Sequence, residues 1–519
     1  MINIVVRSTG ADVAEVLARA FERSYTRGQV RLVDSVRALP GGGVAVVPSP
    51  HDADLEWLQA VARKPSKIVL LGPLGPAMAA WAGVGLSPLA PRLAEAAACA
   101  AAPLHGMAAS RAAIAYADAG LGASSPLRSR QLCRFDFTSE WNNLGYGRIG
   151  IGDDPWSIAV AARAEHATVV GELVLDNGMR AGAVATVRDT PTASILWFAR
   201  PLGPVDGADW RIVEAFISDY RYDTLPCRPH LRDSPHGAAA AVTMRLDCDE
   251  DIATVRPLLE LYRARDVPLS VAVMTGQPES PANAVLLADV KRAGGSILSH
   301  SSTHRPNWGG SAEAAEAEAT QSKAWLESRV PGLGVRYAVS PFHQNPTYVP
   351  SALARAGYQG FVGGTICNDP EYLMARGGAV PYGSAGFVSH SQSCMLHGDC
   401  MLSDGDPLRI YREAFRTARA AGQFFGYLDH PFSPRYSYGW ASEADRLSQH
   451  ADFLNFMQTD CAGKILFVNE DTCLDFMHAK AATDISFDEA RGAFEISRHM
   501  AAGLPLSIGF RGHYRAANT

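Results

Sequence analysis

Ile297-Leu298-Ser299-His300-Ser301-Ser302-Thr303-His304 is a short apolar run that ends in two histidines four residues apart. The run has the length and content of a buried strand. If the chain turns helical after it, the spacing puts both imidazoles on one face. Imidazole is the commonest protein metal ligand near neutral pH, and a facing pair supplies half of a tetrahedral zinc shell. On spacing alone the plainer reading, two polar residues opening an exposed helix, is favoured. The flanking sequence shifts that balance.

Outward from this stretch, apolar runs recur at 239–246, 269–274, 296–299, 336–339, 360–362, 386–388, 424–428 and 465–468. Segments of helical period lie between several of them, as at 253–263, 312–327 and 408–421. Such alternation over about 240 residues predicts a (β/α) barrel, with seven strands in the closed sheet. Polar residues gather where the runs end: Asp247, His300, His343 after Pro341, His390, His430, Asn469 and Glu470. The C-terminal ends of barrel strands are where active sites sit. The barrel is expected over 238–480, and 481–519 reads as a C-terminal β-hairpin extension.

Residues 1–235 read as a separate, non-catalytic α/β domain, with possible subdomains at 1–125 and 130–235. Apolar runs at 2–6, 44–47 and 68–71 alternate with helical faces such as Val13, Val16, Leu17, Ala20 and Phe21. That pattern predicts a parallel sheet covered on both faces. Arg7-Ser8-Thr9-Gly10 resembles, faintly, a flavodoxin phosphate loop, but an ordinary strand–helix turn is the favoured reading. The Ala-rich stretch 94–115 is broken by Glu95, Pro103, His105 and Gly106, so a packed helix is expected and not a membrane span. Asp176-Asn177-Gly178 is a hairpin signal. The layout resembles glutamine-amidotransferase-like domains, without a nucleophile elbow: Cys99 lies in the Ala-rich stretch and Cys133 lacks flanking glycines. Residues 228–237, with Pro229, Pro235 and Gly237, read as a linker.

The chain is 47% hydrophobic and 19% charged, which fits a globular protein with a sizeable core. A net charge of −6 argues against nucleic acid or an anionic membrane as partner. The opening Met1-Ile2-Asn3-Ile4-Val5-Val6-Arg7 is a strand pattern and not a signal peptide. The nine cysteines include no Cys-x-x-Cys pair, as expected in a reducing compartment. No transmembrane segment and a cytoplasmic location are expected; nothing in the sequence reads on oligomeric state.

Asp247 and Asp249 stand in Arg245-Leu246-Asp247-Cys248-Asp249-Glu250-Asp251, at the end of the first barrel run. Helix capping explains acids such as Glu250 and Asp251, but not one on the strand itself. The late Leu428-Asp429-His430-Pro431-Phe432 also ends a strand. Asp247-x-Asp249, His300-Ser-Ser-Thr-His304 and Leu428-x-His430, in this order at strand ends, resemble the motifs of NodB-type polysaccharide deacetylases of carbohydrate esterase family 4. The Ala293-Gly294-Gly295-Ser296 turn matches as well.

The resemblance covers about residues 238–480. It implies that Asp249, His300 and His304 bind a divalent metal, zinc first, that Asp247 is the base and that His430 is the general acid. The sequence departs from the family in three places. One residue separates the two acids. Tyr337-Ala338-Val339-Ser340-Pro341-Phe342-His343 lacks the family's third-motif arginine, for which Arg245 or Arg336 is the replacement. The tryptophan-bearing motif is not evident. Asp399 and Asp404 are the candidates to orient His430.

The implied substrate is an N-acetylated amino sugar of a surface glycan, such as an O-antigen or exopolysaccharide, or its cytoplasmic precursor. Arg245, Trp308, Phe342 and His343 are candidate substrate contacts. Trp308, Phe342, Tyr348, Tyr436, Tyr438 and Trp440 are candidates to stack on sugar rings. Two rivals remain. One is a glycoside hydrolase that pairs Asp247 or Asp249 with Glu470. The other is a glycan-binding protein with a degenerate site.

Overall fold

The computed structural model describes residues 1–6, 11–98, 112–122, 129–131, 150–151, 154–155, 158, 160–205, 207–277, 280–363, 376–390, 393–396, 398, 405–498 and 503–517. The Arg7–Gly10 turn, Cys99, Cys133, Asp399 and Asp404 lie outside these residues.

The first apolar runs form parallel ladders in the order Val30–Val33, Ile2–Val5, Gly43–Pro48, Ser66–Leu71 and Ala193–Phe198. Ser66–Leu71 and Ala193–Phe198 are buried along their whole length, as interior parallel strands must be. Beyond Ala193–Phe198 the same sheet turns antiparallel, through Arg180–Asp189, Thr168–Leu175 and Ala112–Tyr116. The Asp176-Asn177-Gly178 turn makes the hairpin its sequence predicts, with Gly178 at φ 79°.

The sheet is therefore mixed and not parallel, because a tight turn returns the chain beside itself where a parallel partner would need a crossover. Strands from both sides of residues 125–130 share it, so the sheet has no break where two subdomains were expected. The 94–115 stretch is not one helix: a helix ends at Ala98 and a strand runs from Ala112 to Tyr116.

The 228–237 segment is not an exposed linker. Its prolines and glycine bound a short strand, His230–Leu231, which pairs with Ser507–Phe510 of a C-terminal hairpin. Both of its residues are fully buried. A second C-terminal hairpin joins Thr483–Asp488 to Ala493–Arg498. The helix Ala11–Tyr25 is tied to the later half of the chain: Arg23 Nε donates to Ala379 O (3.0 Å), and Arg376 donates to Ser24 Oγ (2.7 Å) and Ala20 O (2.6 Å).

The second large sheet carries the candidate site. Its order is Gly378–Ala379, Val388–His390, Gly360–Val362, Tyr337–Val339, Ile297–Ser299, Ser270–Val273, Ala240–Cys248, Phe424–Asp429 and Cys394–Met395, with Ile465–Phe467 on the first half of Ala240–Cys248. All ladders but the Gly378–Ala379 edge are parallel. No ladder among the described residues joins the two ends. The predicted closed ring of seven is replaced by a curled, half-barrel sheet with additional short strands.

Period-two alternation sorts the side chains. Ala241, Ala272, Leu298, Val339, Val362, Val388 and Phe424 pack together in the curl's interior, with residues of helix Glu470–Ala481. Val242, Met244, Leu246, Phe425 and Tyr427 pack outward in the larger helix-covered core. Inward parity from Ala241 runs through Thr243, Arg245 and Asp247 to Asp249; from Leu298 it reaches His300, and from Phe424 it reaches His430. No described helix is long and apolar enough to cross a membrane.

Candidate metal and acid–base site

Asp247 and Asp249 are two residues apart on one strand and its exit, so both carboxylates face inward. Asp247 is fully buried; Arg245 Nε donates to its Oδ1 (2.7 Å) and Nη2 to its Oδ2 (3.2 Å). Burial pushes this carboxyl up, but the Arg245 guanidinium and the imidazoles of His300 and His343 outweigh it and hold Asp247 well below the usual carboxylate range. Asp249 accepts at Oδ2 from Tyr436 Oη (3.0 Å), while its buried Oδ1 has no hydrogen-bond partner. Burial raises Asp249 too, and again the surrounding histidines, His300 first, pull it well below that range.

The two histidines meet through a loop and not a helix. Ser301 (φ 63°) and His304 (φ 53°) are left-handed, which reverses the chain within four residues. Glu318, from helix Ala312–Arg329, holds the loop by accepting from Ser302 N (2.9 Å), Thr303 N (2.7 Å) and Thr303 Oγ1 (2.5 Å). Gly276 N donates to Ser302 O (2.7 Å), and a Cβ on Gly276 would lie 2.5 Å from that oxygen, so only glycine fits there. His300 Nδ1 lies 2.9 Å from Val339 O, an atom that only accepts, so Nδ1 carries a proton and Nε2 is the atom turned to the acids.

His300 Nε2 is 3.3 Å from Asp249 Oδ1, His304 Nε2 is 3.6 Å from the same oxygen, and the two nitrogens are 3.0 Å apart. Donors about 2.0–2.2 Å from a tetrahedral ion lie roughly 3.3–3.6 Å from one another. This spacing, with the orphaned Asp249 Oδ1 among the donors, fits a divalent cation. Burial opposes charge on His300, but Asp247 and Asp249 outweigh it and raise its pKa. Burial, and then His300, bring His304 down to about 4.

Around this centre stand His343, with Nε2 3.9 Å from Asp247 Oδ2, and His430, with Nε2 3.8 Å from Asp249 Oδ2. Burial lowers the pKa of both, and the neighbouring carboxylates oppose it. His430 stacks on Tyr436 (ring centroids 4.8 Å apart) beside Tyr438 (5.1 Å). Its backbone is fixed from behind: its N–H donates to Asp429 Oδ1 (2.8 Å), and its carbonyl accepts from Arg446 (2.6 Å). Asp429 also meets His450 Nε2 at 3.0 Å. Phe342 (φ 52°), His343 (φ 55°) and Tyr438 (φ 43°) are left-handed as well, a concentration of backbone strain at one site.

Asp247, Asp249, His300, His304, His343 and His430 thus come together. Arg245 stands behind Asp247 and is fully buried, so it is a partner of the acid and not a substrate contact. Arg336 is bound to Asp475. Trp308 is fully buried and Trp440 nearly so, which removes both as stacking surfaces. Phe342, half-buried, lies over His304 with centroids 4.5 Å apart. Glu470 is fully buried beside His390, where no glycan reaches it. Sequence reasoning missed Glu318, and it missed Asp429 although that residue is the x of Leu428-x-His430.

No family model matches the chain, and no curated protein matches it. Solved structures similar to it include Agd3, a carbohydrate deacetylase (10% identity, 98% of this chain and 93% of that one, TM-score 0.40). A chitin deacetylase from Colletotrichum lindemuthianum is similar at 14% identity, over 46% of this chain and 89% of that one, with a TM-score of 0.31. A family 4 carbohydrate esterase from Bacillus anthracis is similar at 13% identity, over 46% and 86%, with a TM-score of 0.29. At these identities and scores the likenesses establish neither family nor activity.

Proposed function

We propose that this chain is a metal-dependent hydrolase that removes N-acetyl groups from an amino sugar, either in a surface glycan or in its cytoplasmic precursor. One observation carries the reading. Asp249 Oδ1, buried and without a hydrogen bond, converges with the Nε2 atoms of His300 and His304, while Asp247 and His430 flank the same point. Asp249, His300 and His304 would hold the cation, zinc being the best match for a carboxylate and two imidazoles. When bound, such a cation supplies Lewis acidity, which acidifies water and polarises an amide carbonyl.

The chain's own groups do the rest. Asp247, ionised at neutral pH and held in place by Arg245, accepts the proton of the attacking water. Tyr436 fixes the Asp249 carboxylate. His430 Nε2 gives a proton to the amine as the C–N bond breaks. Phe342, Tyr348 and Tyr438, each partly exposed, offer faces for a sugar ring. In this reading residues 238–480 carry the chemistry, and 1–235 and 481–519 are its scaffold.

Product analysis on an N-acetylated amino-sugar oligomer tests it. Equal amounts of acetate and free amine, with chain length unchanged, are expected. New reducing ends without acetate would replace this reading by a glycosidase.

A further inference from the structure

A second cluster of donors lies in the interior of the curled sheet and takes no part in the chemistry above. His390 ends the strand Val388–His390, Glu470 opens the helix Glu470–Ala481, and Cys473 follows one turn later. Glu470 and Cys473 are three apart, so they share a helix face. All three are essentially inaccessible, at 1%, 0% and 0% exposure. Their donor atoms all lie within 4.8 Å of one another. Both ring nitrogens of His390 and both carboxylate oxygens of Glu470 have no hydrogen-bond partner. His390 packs edge-on against Phe424 (5.9 Å), which packs against Phe476 (5.6 Å).

An ionised carboxylate without hydrogen bonds in such a place is strongly unfavourable unless a positive charge meets it. A protonated His390 does not serve well. Its Nδ1 is 3.5 Å from Glu470 Oε2, beyond the 2.7–2.9 Å of a charge-assisted hydrogen bond. That separation instead falls within the roughly 3.3–3.6 Å expected between donors on one tetrahedral ion. The charges also balance. A divalent cation, the Glu470 carboxylate, the Cys473 thiolate and a neutral His390 sum to zero, which makes burial tolerable. A thiolate–imidazole–carboxylate set selects the zinc class over magnesium or calcium.

We propose that His390, Glu470 and Cys473 form a second, structural metal site that takes a divalent cation of the zinc class. Binding replaces the Cys473 thiol proton, which leaves to solvent, by a metal–sulfur bond. The bond ties the edge strand Val388–His390 to the helix that also carries Lys480, the ion-pair partner of Asp233. Because the site is closed, the cation enters as the chain folds, and chelators remove it far more slowly than one held beside His304.

The test uses the full-length protein produced in cobalt-supplemented medium. Asp249, His300 and His304 supply no sulfur, so a thiolate-to-cobalt charge-transfer band that depends on Cys473 reports on the second site. The band is expected in the wild type, retained in His304→Ala, and lost in Cys473→Ser and Cys473→Ala. Metal analysis of the zinc-grown protein should give two ions per chain before brief chelation and one after it. A folded, cobalt-loaded wild type without the band would overturn the proposal, as would a band that survives in Cys473→Ala. A single ion per chain before chelation, with the band intact, would count against the hydrolase reading only.

Discussion

Replacing Asp247 by Asn keeps its size and removes its charge, and two separate effects should follow. The first is on stability. Arg245 is fully buried and donates twice to this carboxylate. Breaking a buried ion pair from one side costs about 3–5 kcal/mol, because the remaining charge stays in low dielectric. For a cooperative unit of 150–250 residues this is roughly 2–4 °C per kcal/mol, hence a fall in Tm of about 6–20 °C. Arg245→Met should cost a similar amount. The double variant Arg245→Met/Asp247→Asn should cost much less than the sum, since neither charge is left alone. The second effect is on turnover, which should fall about 10²- to 10⁴-fold in Asp247→Asn and stay low in the double variant. Scanning calorimetry of the three variants, with acetate release on the same preparations, separates the two. An Asp247→Asn protein within a degree of wild type, or additive losses in the double variant, would refute the ion-pair reasoning. Turnover within a few-fold of wild type would move the base elsewhere, to Asp251 first.

His430→Ala should lower kcat strongly on an N-acetyl amide and much less on an activated acetyl ester, whose leaving group needs no proton; equal losses in a metal-replete variant would remove His430 as the acid. Glu318→Ala frees the loop that carries His304 and should weaken metal binding about 10- to 100-fold, read by chelator competition; affinity within twofold of wild type would contradict its role. His230 is buried, and burial, then Arg211, lowers its pKa from 6.5 to about 3. The unfolded chain therefore binds the extra proton, and stability falls as pH drops from about 6.5 toward 3, by about 1.4 kcal/mol per unit from this group. His230→Gln should remove that component of the pH slope in denaturant titrations; an unchanged slope would show that His230 is not held neutral.

The convergence of the candidate site was more legible in the sequence than the architecture. Asp247-x-Asp249, Leu298-x-His300 and Leu428-x-His430 each put a polar group two residues beyond, or on the same parity as, an inward position, and strand period alone carries that. The histidine spacing pointed to convergence for the wrong local reason: left-handed Ser301 and His304 bring the rings together, where a helix was expected. Glu318 was not legible, because its role depends on how helix Ala312–Arg329 docks. The same limit hid the mixed first sheet. The pairing of Ala193–Phe198 with Ser66–Leu71 spans more than a hundred residues, and nothing local encodes it. Trp308 looked like a sugar platform by its neighbours in sequence, yet the packing of 306–309 takes it into the core.

The most direct measurement is acetate release from an N-acetylated amino sugar by the full-length protein before chelation, after it, and after zinc is restored. Release that is lost on chelation and regained with zinc, and that no treatment restores in His304→Ala, is the predicted result. Release that a chelator leaves unchanged would contradict metal-dependent deacetylation at Asp249, His300 and His304.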